Sequence, residues 1–142
     1  MKIANKEKQM KLDELLEKYG HHVWNKWNAP EYSVYIGRGS LYGNPIPLAD
    51  PKDETGRIEC ILAFTEYLGR RIQAEPAFAG AVMSLRNQNL KCYCSNGKTS
   101  KNDGARYCHG LVLLYAADLL HTSSIEDVCK ALHAIIDDQK EM

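Results

Sequence analysis

Two groups of residues in this sequence have types and spacings that could do chemistry. The first is Cys92-Tyr93-Cys94, a thirteen-residue gap, then Cys108-His109-Gly110. On a strand, positions i and i+2 share a face, so Cys92 and Cys94 can converge. Three thiolates and an imidazole form the ligand set of a structural zinc site. C-x-C is a less common ligand spacing than C-x2-C, and adjacent ligands at the start of a helix diverge by about 100° around its axis. That divergence favours a metal-free cluster. Cys108 would then be a thiol whose pKa a helix N-terminus lowers, with His109 beside it as acid or base. A third reading keeps the cysteines as small buried hydrophobes.

The second group is the loop Gly37-Arg38-Gly39-Ser40-Leu41-Tyr42-Gly43-Asn44-Pro45-Ile46-Pro47, in which Arg38 is the only charge. Glycines let successive backbone N–H groups turn toward one point, a nest that suits an anion. Arg38 adds a planar fork for phosphate or carboxylate, and Ser40 and Asn44 add neutral hydrogen-bonding groups. The spacing is neither a Walker loop nor the dinucleotide fingerprint. The competing reading is a structural turn with Arg38 in an ordinary salt bridge. Arg57 falls in the first turn of a following helix, where the dipole disfavours a cation. Facing the loop and a bound anion would account for it.

Between the cysteine pairs lie Lys98, Lys101 and Arg106, with Lys91 just before them, and against these four stands Asp103 alone. This basic loop, 91–106, could hold phosphates or a nucleic-acid backbone, or be a solvated flap. Trp24 and Trp27 read as core and edge packing rather than a base-stacking platform. His21 and His22 suit the C-terminal dipole of the helix before them. Cys60 and Cys129 lie on helices and read as packing.

The elements that position these groups follow from periodicity. Leu12, Leu15, Leu16 and Tyr19 make a narrow helical stripe over 4–19, stopped by Gly20. His22-Val23-Trp24 and Ser33-Val34-Tyr35-Ile36 are short β-like runs. Ile58, Ile61, Leu62, Thr65, Leu68 and Ile72 keep one helical face after Gly56. Pro76 opens a shorter helix through Leu85. Residues 89–93 read as a brief strand. His109 to Leu120 is apolar almost all round, which predicts a buried helix. Ser123 with Glu126 three residues on predicts a capping box that opens the last helix. Short strands alternating with helices give an α/β class: a small sheet covered by helices, in a Rossmann-like single domain.

The 142 residues are one domain's worth of chain. Hydrophobic residues make up 44% and charged ones 25%, which argues against disorder. Eighteen Lys and Arg balance eighteen Asp and Glu, which excludes a nucleic-acid binder that works through whole-surface charge. No apolar run is long enough to span a bilayer, and the first residues lack the apolar stretch of a secretory signal. No membrane association and a cytoplasmic setting are therefore expected, with reduced cysteines.

Taken together, Tyr35-Ile36-Gly37-Arg38-Gly39-Ser40, Gly43-Asn44-Pro45, the Arg-led helix at Arg57, Cys92-Tyr93-Cys94 and Cys108-His109-Gly110 resemble a small domain-of-unknown-function family common in phage and bacterial genomes. That family carries Y-I-G-R-x-S, G-N-P, R-x-E, C-W-C and C-H-G. The resemblance covers about residues 22 to 120. It leaves 1–21 as an N-terminal helical extension and 121–142 as a C-terminal helix. Here Gly39 replaces a frequent proline, Tyr93 replaces tryptophan, and the loop between Cys94 and Cys108 is longer. The resemblance implies a phage or bacterial setting but no activity.

Two functions are expected from these features. One is a protein that binds a nucleotide or nucleoside derivative. Its phosphate or ribose would sit on Gly37, Arg38, Gly39, Ser40, Asn44 and Arg57. Cys92, Cys94, Cys108 and His109 would lie across the same cleft for nucleophilic or acid–base chemistry on a base or glycosidic bond. The other is a non-catalytic module stabilised by zinc on those four side chains, which holds a protein or nucleic acid through the basic loop and the N-terminal helix.

Overall fold

The computed structural model describes residues 10–25, 29–37, 39–43, 45, 54–92 and 108–140, without the side chains of 25, 54–57, 92 and 140. Among the described residues, five helices cover a three-stranded sheet. The helices are α1 (Leu12–Tyr19), α2 (Glu54–Ala74), α3 (Pro76–Met83), α4 (His109–Thr122) and α5 (Ile125–Lys140). The strands are β1 (Val23–Asn25), β2 (Val34–Tyr35) and β3 (Leu90–Cys92). Both β1 and β2 pair in parallel with the central β3, in the order β1-β3-β2. The expected α/β class with N- and C-terminal helices is therefore the observed one. All three strands point their carboxyl ends the same way, so the segments leaving Asn25, Tyr35 and Cys92 start from one edge of the sheet.

Helix α4 is the axis of the core. Every residue from His109 to Ala117 is buried, as is Leu119. It packs against α1, α2, α3 and α5. Truncating one such buried leucine costs about 2–5 kcal/mol, so this helix carries more of the fold than any surface element. Asp118 is its one acidic residue, and its two carboxylate oxygens are both used. Tyr19 Oη donates to one at 2.6 Å, and Arg86 Nε donates to the other at 3.2 Å. Burial, reinforced by Asp118, raises the Tyr19 phenol far above its ordinary pKa. The stripe on α1 is thus spent on this core, with Leu12, Leu15 and Tyr19 buried. At the α2–α5 contact, the Cys129 thiol donates to the Gly69 carbonyl at 3.4 Å, and burial pushes its pKa up. That is the packing role expected of it.

Two local expectations need correction, whereas Gly20 stops α1 as expected: it is the C-cap, with right-handed backbone (φ −58°, ψ −32°), and it opens a 3-10 turn over Gly20–His22. A Cβ there would approach Leu16 Cδ1 to 3.2 Å, so close packing is what the glycine serves. The N-cap of α5 is Ser124, whose Oγ accepts from the Asp127 amide at 3.1 Å. Ser123 is instead the extended C-cap of α4, its amide donating to the Leu119 carbonyl at 2.7 Å. Helix α2 starts at Glu54, before Gly56, which puts Arg57 at the end of its first turn.

Candidate functional site

The carboxyl edge of the sheet is where the described parts of the two chemical groups meet. Beyond β2, the Ile36 amide donates to the Lys91 carbonyl at 2.9 Å, extending the ladder by one residue. Gly37 follows, against the Tyr35 ring; a Cβ on Gly37 would sit 2.6 Å from Tyr35 Cζ, so a larger residue there would have to displace that ring. The chain then makes two turns. The Ser40 amide and hydroxyl both donate to the Gly37 carbonyl, at 3.1 and 2.7 Å, and the Gly43 amide donates to the Ser40 carbonyl at 3.1 Å. Gly39 sits at φ +87° with nothing near its missing Cβ. A proline ring cannot take that angle, and other side chains rarely do. Tyr42 Oη donates to the Ala81 carbonyl of α3 at 3.3 Å and ties the loop down.

A cleft of about 460 Å³ lies between this loop and α2. Gly39, Ser40, Leu41, Gly43 and Pro45 line it from the loop, and Tyr67 and Arg71 from the helix. Arg71 is the residue that the sequence reading missed. Its guanidinium stacks on Phe78 at 4.0 Å, donates from Nη1 to Tyr67 Oη at 2.9 Å and from Nε to Glu75 Oε2 at 3.1 Å. Among the described residues these two bonds leave three of the five guanidinium N–H groups for something else. Burial pulls its pKa down, but the bonds to Glu75 and Tyr67 outweigh that and the net shift is upward. The cation is therefore fixed in place and permanently charged. Its only sequence signal is the i, i+4, i+8 series Tyr67–Arg71–Glu75, which reads as ordinary helix-surface pairing.

Of the residues expected to hold an anion, Gly37, Gly39 and Ser40 are placed in the loop, and Gly39 and Ser40 line the cleft. Arg38 and Asn44 lie outside the described residues, as does the basic loop after Cys92; the Arg57 side chain is likewise not described. The Ser40 hydroxyl proton is committed to Gly37, so toward a ligand this oxygen acts as an acceptor.

Cys108 and His109 sit at the start of α4. Cys108 is the N-cap, with extended backbone (φ −107°, ψ 145°), and its Sγ accepts from the Gly110 amide at 3.3 Å. Because Cys108 lies outside the helix, its side chain and that of His109 do not diverge. Sγ lies 3.8 Å from His109 Nδ1. The helical-divergence objection to a shared ion therefore fails for this pair. His109 Nε2 lies 2.8 Å from the Ile36 carbonyl. A carbonyl only accepts, so Nε2 carries a hydrogen and donates it there. Phe64 holds the ring edge-on at 5.0 Å. Gly110 makes the approach possible, since a Cβ would meet Ile36 Cδ1 at 2.9 Å and Val23 Cγ2 at 3.3 Å. Both side chains are buried, at 1% and 3% exposure, and neither lines the cleft among the described residues. Cys92 ends the central strand, its side chain undescribed, and Cys94 lies outside the described residues. Among the described residues no three metal-ligating side chains come together. No described helix is long and apolar enough to cross a membrane.

The fold and this edge define a small parallel α/β domain with a glycine-rich turn after one strand and a capped, buried helix after another. A family model for a domain of unknown function, DUF4326, matches residues 20–119, and the chain belongs to that family. The match spans all three strands, α2, α3 and α4 up to residue 119, and leaves out α1 and α5. No curated protein and no solved structure matches the chain.

Proposed function

We propose that this protein binds a small phosphorylated ligand, a nucleotide or nucleoside derivative, in the cleft between the Gly37–Pro45 loop and α2. The observation that carries the reading is Arg71. It is a guanidinium held by stacking and two hydrogen bonds, with N–H groups to spare among the described residues, opposite a glycine-containing turn. Open α/β sheets bind ligands at the carboxyl ends of their strands, and the loop leaves β2 at that edge. A volume of about 460 Å³ lies within the ordinary range for small-molecule sites. Arg38, Asn44 and Arg57 remain the residues proposed to add to the anion site. Chemistry on a base or glycosidic bond, in a phage or bacterial cell, is the finer form of this reading. The half-neutralised Arg71–Glu75 pair fits a ligand with a polar group beside its phosphate better than inorganic phosphate alone.

The test is a thermal-shift panel on the full chain with nucleoside monophosphates, diphosphates and the unphosphorylated nucleosides. Ligand at a hundred times its Kd stabilises by about 2.7 kcal/mol, a shift of roughly 5–10 °C for a chain near this size. Stabilisation by phosphorylated compounds and not by nucleosides is expected. No response to any phosphorylated compound refutes the reading.

A further inference from the structure

Resting on the reading that the cleft holds a phosphorylated nucleoside, we infer that it selects a ribonucleotide: Ser40 Oγ accepts a hydrogen bond from a ribose hydroxyl, while Tyr67 and Arg71 donate to the phosphate. The two walls of the cleft differ in hydrogen-bonding character. On α2, Arg71 Nη1 donates to Tyr67 Oη at 2.9 Å. That bond uses a lone pair of the phenol oxygen and leaves the Tyr67 proton, among the described residues, without an acceptor. Tyr67 therefore offers a donor to the cleft beside the remaining N–H groups of Arg71. Several donors around a fixed positive charge suit a group that only accepts, and phosphate oxygens are such a group.

The loop wall is the opposite. The Ser40 hydroxyl donates to the Gly37 carbonyl at 2.7 Å, and the Ser40 amide closes on the same carbonyl at 3.1 Å. Turning that hydroxyl toward a phosphate would break the bond that helps close the turn. As it stands, the oxygen has only lone pairs to offer. Phosphate oxygens repel such a group, and a ligand hydroxyl satisfies it. Ser40 is thus removed from the anion site expected of it and becomes a reader of a neutral donor. In a phosphorylated nucleoside, the hydroxyls nearest the phosphate are those of the sugar. Half-exposed Leu41 and Pro45 line the same wall and offer apolar surface to the carbon face of that sugar. A few placed polar groups on an apolar wall are how small-molecule sites fix orientation.

The experiment is calorimetric titration of the purified full chain with each ribonucleoside 5′-monophosphate and with the 2′,3′-dideoxy monophosphate of the same base, which lacks both sugar hydroxyls. The wild type should bind the best ribonucleotide about 2- to 12-fold more tightly than its dideoxy counterpart, the span of one net hydrogen bond. Ser40→Ala should shrink that ratio toward one, whereas mere loosening of the loop would weaken both ligands alike and leave the ratio unchanged. Tyr67→Phe should weaken both ligands and keep the ratio, because the phosphate is common to them. If Ser40→Ala does not fold, the wild-type ratio decides alone. A wild-type ratio below about twofold overturns the inference and leaves the cleft as a phosphate site. So does an undiminished ratio in a folded Ser40→Ala chain, or a Tyr67→Phe chain that binds both ligands as the wild type does. Binding of neither nucleotide to the wild type overturns the underlying reading as well.

Discussion

Replacing Arg71 by alanine separates its structural from its binding role, because the structure gives each its own magnitude. In the free protein the change removes a bond to Tyr67, an ion pair to the half-exposed Glu75 and the stack over Phe78. An exposed ion pair contributes about 0.2–1 kcal/mol and a cation–π stack about 0.5–2 kcal/mol. A loss of about 1–3 kcal/mol follows, or a fall in Tm of roughly 3–10 °C. In the complex the change also removes a charge-assisted hydrogen bond to phosphate, worth about 1.5–3 kcal/mol. Affinity should therefore fall about 10- to 150-fold. Arg71→Lys keeps the charge but loses the planar fork and most of the stack, so it should bind between the two. Calorimetric titration with the best compound of the thermal-shift panel reads the affinity, and thermal melts without ligand read the stability. A variant that melts lower but keeps its Kd within twofold would show that Arg71 only braces α2 against α3, and the cleft would lose its main argument.

Other changes test the local readings. Ser124→Ala should cost about 1 kcal/mol through loss of the α5 cap, whereas Ser123→Ala should stay within about 0.5 kcal/mol in urea melts; the reverse order would restore the Ser123 capping box. Gly110→Ala gains up to about 1 kcal/mol of helix propensity but drives a Cβ into Ile36 and Val23, for which overpacking costs about 1–3 kcal/mol. A lower Tm is expected, and a higher one would show that the α4–sheet contact can yield. Burial pushes Tyr115 up to about 12 and raises Tyr19 further, so both phenols keep their protons in the folded state above the pH where unfolded tyrosines ionise. Stability should be unaffected by them below about pH 10 and fall from there toward pH 12, by up to about 1.4 kcal/mol per pH unit for each. Tyr115→Phe should flatten that slope in urea melts at pH 9 to 11.5, and an unchanged slope would mean the phenol is not held protonated.

Which parts of the molecule were legible in the sequence follows from how local their causes are. Helix α4 declares itself because no polar stripe interrupts Leu111 to Ala117, and Pro76 marks its own helix start. The three strands are two or three residues long, yet β-branched and aromatic residues mark β1 and β2, and a short run at 89–93 marks β3. The cap expected at Ser123 falls on Ser124 because a cap is decided by backbone angles at a boundary, and two adjacent serines offer the same chemistry. Arg71 was invisible for a different reason. Its partners Tyr67 and Glu75 are helical neighbours, and only the return of the Gly39–Pro45 loop across α2 turns a surface pair into the wall of a cleft. For Cys108 and His109, at a helix start, the helical rotation of about 100° per residue makes the spacing read as divergent. One residue of extended backbone at Cys108 brings sulfur and nitrogen together.

The most direct measurement is a crystal structure of the full chain grown with the nucleotide that binds best. The account predicts the phosphate in the cleft, within hydrogen-bond distance of Arg71 and of backbone N–H groups between Gly39 and Pro45, with the nucleoside extending along the same edge of the sheet. Phosphate bound elsewhere on the chain, with Arg71 unchanged and the cleft filled only by solvent, would contradict it.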